Sequence, residues 1–248
     1  LTDQLSDEEI KARADWIKEY SKQMHKPVLV TVNDCKEKRA LQWEVHQNTL
    51  LSGADCVAMM TLALNKKIGV EIGTYMGGGT AVLIKAMHND GHLITVDLPS
   101  QPNMYEDLAP TMLRDEVRRQ RLSALGLEGR YSLVLSHSVT VASFFPDGTF
   151  DFVFIDGCHE YTAVLWDINA WWSKIKPGGV MFGHDYNKRC GEFSESDRMK
   201  YRDQNCHEKL HFGVWEAVHQ KFPNHGHMAG SYIWYAIKPE RSVFGCPT

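Results

Sequence analysis

Val70-Glu-Ile-Gly73-Thr-Tyr-Met-Gly77-Gly-Gly-Thr80 ends an apolar run in four glycines, and a lone acid, Asp97, closes the next apolar run 24 residues after Gly73. Ile68–Ile72 has the length and composition of a buried strand. The glycines permit a sharp turn into a helix and let the backbone approach a ligand with no side chain between them. Outward from this point, apolar runs at 92–96, 131–135, 150–155 and 179–183 alternate with helical patterns at 80–88, 111–125 and 160–175. Such alternation predicts βαβ units and an α/β, Rossmann-like, doubly wound and mostly parallel sheet.

The flanks read differently. Ser6 and Glu9 form a capping-box pattern that opens an amphipathic helix to about Met24, and Pro27 breaks it. Residues 28–50 are mixed, so 1–50 is taken as an N-terminal helical cap on a single domain spanning 1–248. A helix follows at 54–64, and the tail carries a helix near 212–222 and a last strand at 231–237. The helix at 111–125 reads as charged and amphipathic, with Arg114, Glu116, Arg118 and Arg119 exposed. Residues 184–211 are polar and without period, as expected of a lid loop with a solvated surface.

Composition excludes several classes. Lys+Arg 27 against Asp+Glu 31 leaves a net charge of −4, with no basic field for nucleic acid. No apolar run approaches the roughly 18 residues of a membrane span. The six cysteines form no CxxC pair, which predicts reduced thiols and a cytoplasmic location. The chain opens at Leu1 without a methionine, consistent with a trimmed start or a removed leader.

In an open α/β sheet, ligands bind beyond the carboxyl ends of the strands. A carboxylate at Asp97 suits the hydroxyls of a ribose, in a dinucleotide or an adenosyl cofactor alike. The turn is not GxGxxG, and Glu71 sets a carboxylate just before it. That charge would repel a pyrophosphate and suits the sulfonium and amino acid of S-adenosylmethionine, which favours this cofactor over NAD.

With Phe154-Ile-Asp-Gly-Cys-His-Glu-Tyr161 and Lys176-Pro-Gly-Gly179 added, the chain resembles class I S-adenosylmethionine-dependent methyltransferases. The likeness is to small-molecule O-methyltransferases of the catechol and caffeoyl-CoA type and of antibiotic sugars, and it covers about 50–190. It implies a seven-stranded sheet, a small-molecule acceptor and, as in many such enzymes, a homodimer. Cofactor contacts are implied at Glu71, Gly73, Thr74, Tyr75, Gly77, Gly79 and Thr80, then at Asp97, Leu98, Ser138 and Asp156. Ser52 and Gly53 are weaker candidates for closing over the methionine portion.

An acceptor hydroxyl needs a base, a Lewis acid or both at neutral pH. In metal-dependent relatives the ligand positions fall on Asp156, His184 and Asp185. The imidazole in that set favours a metal softer than Mg²⁺, or places His184 outside the first ligand shell. Without a metal, Asp156 would cap the following helix and contact the cofactor while His184 packs in the cleft; the metal reading is the one preferred. His159, where catechol-type relatives carry a lysine, is the expected general base, with Asp185 in reserve. Trp166, Trp171 and Trp172 are assigned to packing, and Trp43, Tyr186 and Trp215 to the border of the cleft. Three alternatives stay open at this point: a metal-independent N- or carboxyl-methyltransferase, a nicotinamide-dependent oxidoreductase, and a binding module without turnover.

Overall fold

The computed structural model describes residues 51–99 and 111–240, the backbone of strands at 27–34 and 39–46, and helical residues at 8, 11–13, 15, 16 and 19. The rest of the expected 6–24 helix lies outside the described residues. In place of a helical cap throughout 1–50, β1 (Pro27–Asp34) and β2 (Arg39–His46) pair as an antiparallel hairpin. Val28, Val30 and Val32 alternate with other residues along β1, a period-two pattern short enough to be taken for mixed sequence.

The main sheet follows the alternation expected. Helix α1 (Gly53–Ala63) leads into β3 (Ile68–Ile72), α2 (Gly78–Ala86), β4 (His92–Asp97) and α3 (Thr111–Ala124). Then come β5 (Tyr131–Leu135), the short α4 (Ser138–Ala142), β6 (Phe150–Ile155), α5 (Tyr161–Trp172) and β7 (Ile175–Gly183). Helices α6 (Glu195–Tyr201) and α7 (Phe212–Lys221) precede β8 (Gly226–His227) and β9 (Trp234–Ile237). Strand order is β5-β4-β3-β6-β7-β9-β8, with β9 antiparallel to both neighbours and β3 to β7 parallel. No helix among the described residues is long and apolar enough to cross a membrane. Cys56, Cys158, Cys190 and Cys206 are free thiols.

Strand parity explains how two cores form. In β6, Phe152 and Phe154 enter the face covered by α1 and α2, while Val153 and Ile155 enter the face covered by α5 and α7. Phe182 of β7 sits with its ring 5.6 Å from Phe152 and 5.1 Å from Phe154. All three rings are fully buried, each contributing about 2–3 kcal/mol of transfer free energy. The switch point of strand order falls between β3 and β6, and a crevice opens beyond the carboxyl ends of β3, β4 and β6.

Residues 184–211 expose a polar surface as expected but are not without regular structure. Lys188–Glu192 is a 3-10 turn, α6 follows, and Cys190, Leu210 and Phe212 form a small apolar core with Phe193, Tyr201 and Trp215. Arg198 donates from Nε to Glu216 Oε1 at 2.7 Å and from Nη1 to the Phe193 carbonyl at 2.6 Å, with its guanidinium 4.7 Å from the Trp215 ring centre. The Tyr161 amide donates to the Arg202 carbonyl at 2.8 Å, tying the segment to the start of α5. Arg198→Ala would strand the buried Glu216 carboxylate. We expect it to cost about 2–4 kcal/mol and to speed limited proteolysis between 187 and 211 more than elsewhere.

Candidate active site

The turn after β3 is built on one close approach. Gly73 has φ 85°, and a Cβ there would be driven into the carbonyl of Asp156. Its amide donates to Val96 O at 2.9 Å, while the Asp156 amide donates to Ile72 O at 2.8 Å. Three strand ends are thereby pinned side by side. Asp97 Oδ2 accepts from the amides of Tyr75 and Thr74 at 3.1 and 3.3 Å, and its Oδ1 accepts from Leu98 N at 2.8 Å. The carbonyls of the turn are held from α3: Arg118 donates to Tyr75 O at 3.3 Å and Arg121 to Met76 O at 2.8 Å. Arg118, expected on the exposed face, is buried for this reason. The neighbouring Glu116–Arg119 pair does face solvent.

A cleft of about 270 Å³ opens from this turn, with Gly73, Tyr75, Asp97, Leu98, Ser138 and Asp156 in its wall. These are six of the expected cofactor contacts. Glu71 and Thr80 are not in the wall. Glu71 is buried beneath the turn, where it accepts from Thr80 Oγ1 at 2.6 Å. Burial, reinforced by Asp156 and Asp97, pushes its carboxyl well above the ordinary range. It is thus no source of full negative charge against a pyrophosphate. Gly79 is needed because a Cβ would stand 2.8 Å from Glu71 Oε1, and Gly77, with φ 76°, caps α2 in the left-handed region. Thr74 is buried, and Ser52 caps α1 through Asp55, with Gly53 exposed behind it.

The far end of the cleft is less legible in the sequence. Trp171 Nε1 donates to Ser138 Oγ at 2.7 Å, and Ser138 in turn bonds Asp167, a buried carboxyl in the wall. Burial raises Asp167 to about 6. The signal for it was a single acid inside the otherwise apolar α5. Trp166, assigned to packing, is 55% exposed at the cleft wall. Trp171 is buried and Trp172 packs on Phe222, as assigned. Tyr186 and Trp215 do not border the cleft: Tyr186 bonds His225, and Trp215 lies between Arg198 and His219. The Trp43 side chain lies outside the described residues.

Beyond the cleft, the ends of β6 and β7 bring Asp156, His184 and Asp185 together, with ligand-capable atoms within 4.8 Å of one another. His184 is buried, its Nδ1 3.2 Å from Asp185 and 3.7 Å from Asp156, its Nε2 3.4 Å from Asp55. Burial lowers its affinity for a proton, but the surrounding carboxylates outweigh that and raise it well above the usual range. Asp185 lies deep, and its two imidazole neighbours, His159 and His184, overcome burial and hold it well below the carboxylate range. Burial lifts Asp156 to about 7. His159 has both ring nitrogens engaged, Nε2 at 2.8 Å from Asp185 Oδ2 and Nδ1 at 3.0 Å from Asn205 Oδ1. His211, which the sequence reading passed over, places Nε2 3.4 Å from Asp185 Oδ1. Asp55 comes from α1, Asn205 and His211 from the stretch between α6 and α7, and no local pattern marks them.

Residues 70–186, which carry the glycine turn and both acidic strand ends, match the family model described as a methyltransferase domain. Over that stretch the chain is similar to methyltransferase domains, in line with its motifs. No curated protein matches the sequence significantly. Among solved structures, a protein of Corynebacterium glutamicum is 12% identical at a TM-score of 0.56, covering 98% of this chain and 95% of its own. An O-methyltransferase family protein of Burkholderia thailandensis is 14% identical at a TM-score of 0.53, over 75% and 55%. The O-methyltransferase of Bacillus cereus, solved with S-adenosylhomocysteine, is 13% identical at a TM-score of 0.50, over 96% and 94%. At such identities the shared property is the fold.

Gly73→Ala should destabilise the protein by more than about 3 kcal/mol in denaturant titration, because strain and a backbone collision coincide. For Asp167 the sign follows from its proton. The folded chain holds it to about 6 and the unfolded chain only to the ordinary 3.8, so stability from this group falls as pH rises between these values. Melting temperature followed across that window should slope less in Asp167→Asn than in the parent.

Proposed function

We propose that the chain transfers the methyl group of S-adenosylmethionine to a hydroxyl of a small molecule. The observation that carries the cofactor is the glycine turn itself. The amides of Thr74 and Tyr75, which a pyrophosphate would need, are already occupied by the Asp97 carboxylate. The turn thus presents a carboxylate, braced by Arg118 at 3.9 Å, where a phosphate would otherwise sit. A sulfonium and an ammonium suit these surroundings, while a dinucleotide would have to displace Asp97. The opposite end of the cleft offers Asp167, whose carboxyl can accept from the amino group of adenine, beside the exposed face of Trp166.

Methyl transfer to oxygen requires that the acceptor proton be removed. Asp156 lies in the cleft wall with a carboxyl poised near neutrality, and we assign it the proton. His159, with both nitrogens committed, orients Asp185 and does not face the acceptor directly. The metal implied by relatives is compatible with the donor set: two carboxylates and one imidazole, Asp156, Asp185 and His184, bring their ligand atoms within 4.8 Å of one another. Bound there, a divalent ion would lower the pKa of the acceptor hydroxyl. This chain's own residues hold the acceptor near Asp156 and keep the cofactor's methyl-bearing end at the glycine turn.

Calorimetric titration is expected to give one site for S-adenosylmethionine and none for NADH, with Asp97→Ala weakening the former by about tenfold or more. Asp156→Asn should lower kcat by about 10²–10⁴-fold at unchanged cofactor affinity. Tight NADH binding without S-adenosylmethionine binding would refute the reading.

A further inference from the structure

We infer that His159, Asp185 and His211 are ligands of a divalent transition-metal ion, so that the centre is richer in imidazole than the set Asp156, His184 and Asp185 implied by relatives. The three residues present one ligand atom each within 4.8 Å of the others. Nε2 of His159 lies 2.8 Å from Asp185 Oδ2, and Nε2 of His211 lies 3.4 Å from Asp185 Oδ1. Ligands about 2.1 Å from an ion, at octahedral to tetrahedral angles, are themselves about 3.0–3.4 Å apart. The 3.4 Å edge from His211 is of that size, and the 2.8 Å edge from His159 is the length of the hydrogen bond that an ion would replace.

The second observation is how the imidazoles are held. His211 Nδ1 stands 2.6 Å from the backbone carbonyl oxygen of Asn205, which can only accept, so this nitrogen carries the hydrogen. His159 Nδ1 stands 3.0 Å from the side-chain oxygen of the same residue. Asn205 thus fixes the His211 ring in the tautomer that leaves Nε2 bare, and it anchors the far nitrogen of His159. The bare nitrogen of His211 then faces the Asp185 carboxylate, lone pair against lone pair, an arrangement that a cation between them resolves, while His159 would release its Nε2 proton to solvent on joining it. An outer oxygen holding the far nitrogen of each ligating histidine is the usual support of a metal centre. Asp185, at φ 62°, is kept in the left-handed region while serving as the common partner.

Two imidazoles and a carboxylate on one face leave further positions open and select Mn²⁺, Fe²⁺, Co²⁺ or Zn²⁺ over Mg²⁺, which prefers oxygen. The three side chains are each about one-fifth exposed, so an ion can enter from solvent. Asp156 and His184 lie against the inner side of Asp185, next to the cleft, and an acceptor oxygen reaching past Asp156 would meet the open positions. The assignment stands on this geometry and does not need the methyl-transfer reading.

The full chain, stripped with chelator and titrated with Co²⁺ in the absence of S-adenosylmethionine, should develop visible d–d absorption that saturates at one equivalent and resists millimolar Mg²⁺. His159→Ala and His211→Ala should each weaken Co²⁺ binding by about 100-fold, with unchanged circular dichroism. Asn205→Ala should weaken it by about tenfold. Should these variants fail to fold, pulsed EPR of the Cu²⁺-loaded parent still decides: two or more coupled imidazoles support the assignment, and one overturns it. Unchanged Co²⁺ binding in both histidine variants, or none below about 1 mM, would likewise overturn it. Co²⁺ bound in this way by a protein that transfers no methyl group would refute the methyl-transfer reading and leave the metal site standing.

Discussion

The site depends on the contact between Gly73 and the Asp156 backbone. With only a hydrogen on its α-carbon, Gly73 lets the ends of β3 and β6 close to hydrogen-bond distance, and that closure sets where three acids point. Asp97 reaches across to the turn's free amides, Asp156 is left at the cleft wall, and Glu71 is forced inward beneath α2. One backbone approach thus divides three carboxyls among three tasks. A bulkier residue would separate the strands and lose all three placements together.

Charge in the interior follows the same economy. Asp55, Asp156 and Asp185 face His159, His184 and His211 in a space largely withheld from water. Burial alone would neutralise every member, and pairing decides which escape. Asp185, touched by His159 and His184, stays ionised well below the usual range. Asp156, with its nearest imidazole at 3.7 Å, is lifted to about 7. Two carboxyls at neighbouring strand ends are therefore driven apart in acidity, the division of labour that acid–base chemistry at neutral pH requires. His184 is held on both sides, by Asp55 from the start of α1 and by the strand-end acids, so the α1 cap and the chemical centre are mechanically one unit.

The sheet and the cofactor end were legible because their causes are local. Strand β6 writes its two faces in alternate residues, and the turn after β3 writes its conformation in glycines. Asp97 could be placed because strand ends are readable. Beyond this the sequence is silent for a physical reason. Asn205 and His211 reach Asp185 only because Arg198 pairs with Glu216 and the Tyr161 amide finds the Arg202 carbonyl, contacts between residues far apart in the chain. Arg118 looked like a surface charge because helix periodicity cannot reveal that a turn from another segment will present carbonyls to it. Tyr186 and Trp215 looked like cleft aromatics because proximity in sequence to a strand end does not fix direction; both turned to a histidine-rich apolar layer instead.

That layer explains why residues 184–211 matter to chemistry. A solvated lid would bring Asn205 and His211 near Asp185 only part of the time, at an entropic cost on every visit. Here the segment carries its own small core, Cys190, Leu210 and Phe212, and the guanidinium of Arg198 welds that core to α7. Ordering is completed on folding, so the imidazoles stand in place before any ligand arrives. Preorganisation of this kind strengthens an electrostatic site because nothing need reorganise when charge develops. Residues 184–211 are thus a fixed third wall, whose inner side chains pair and anchor while its outer polar ones meet solvent.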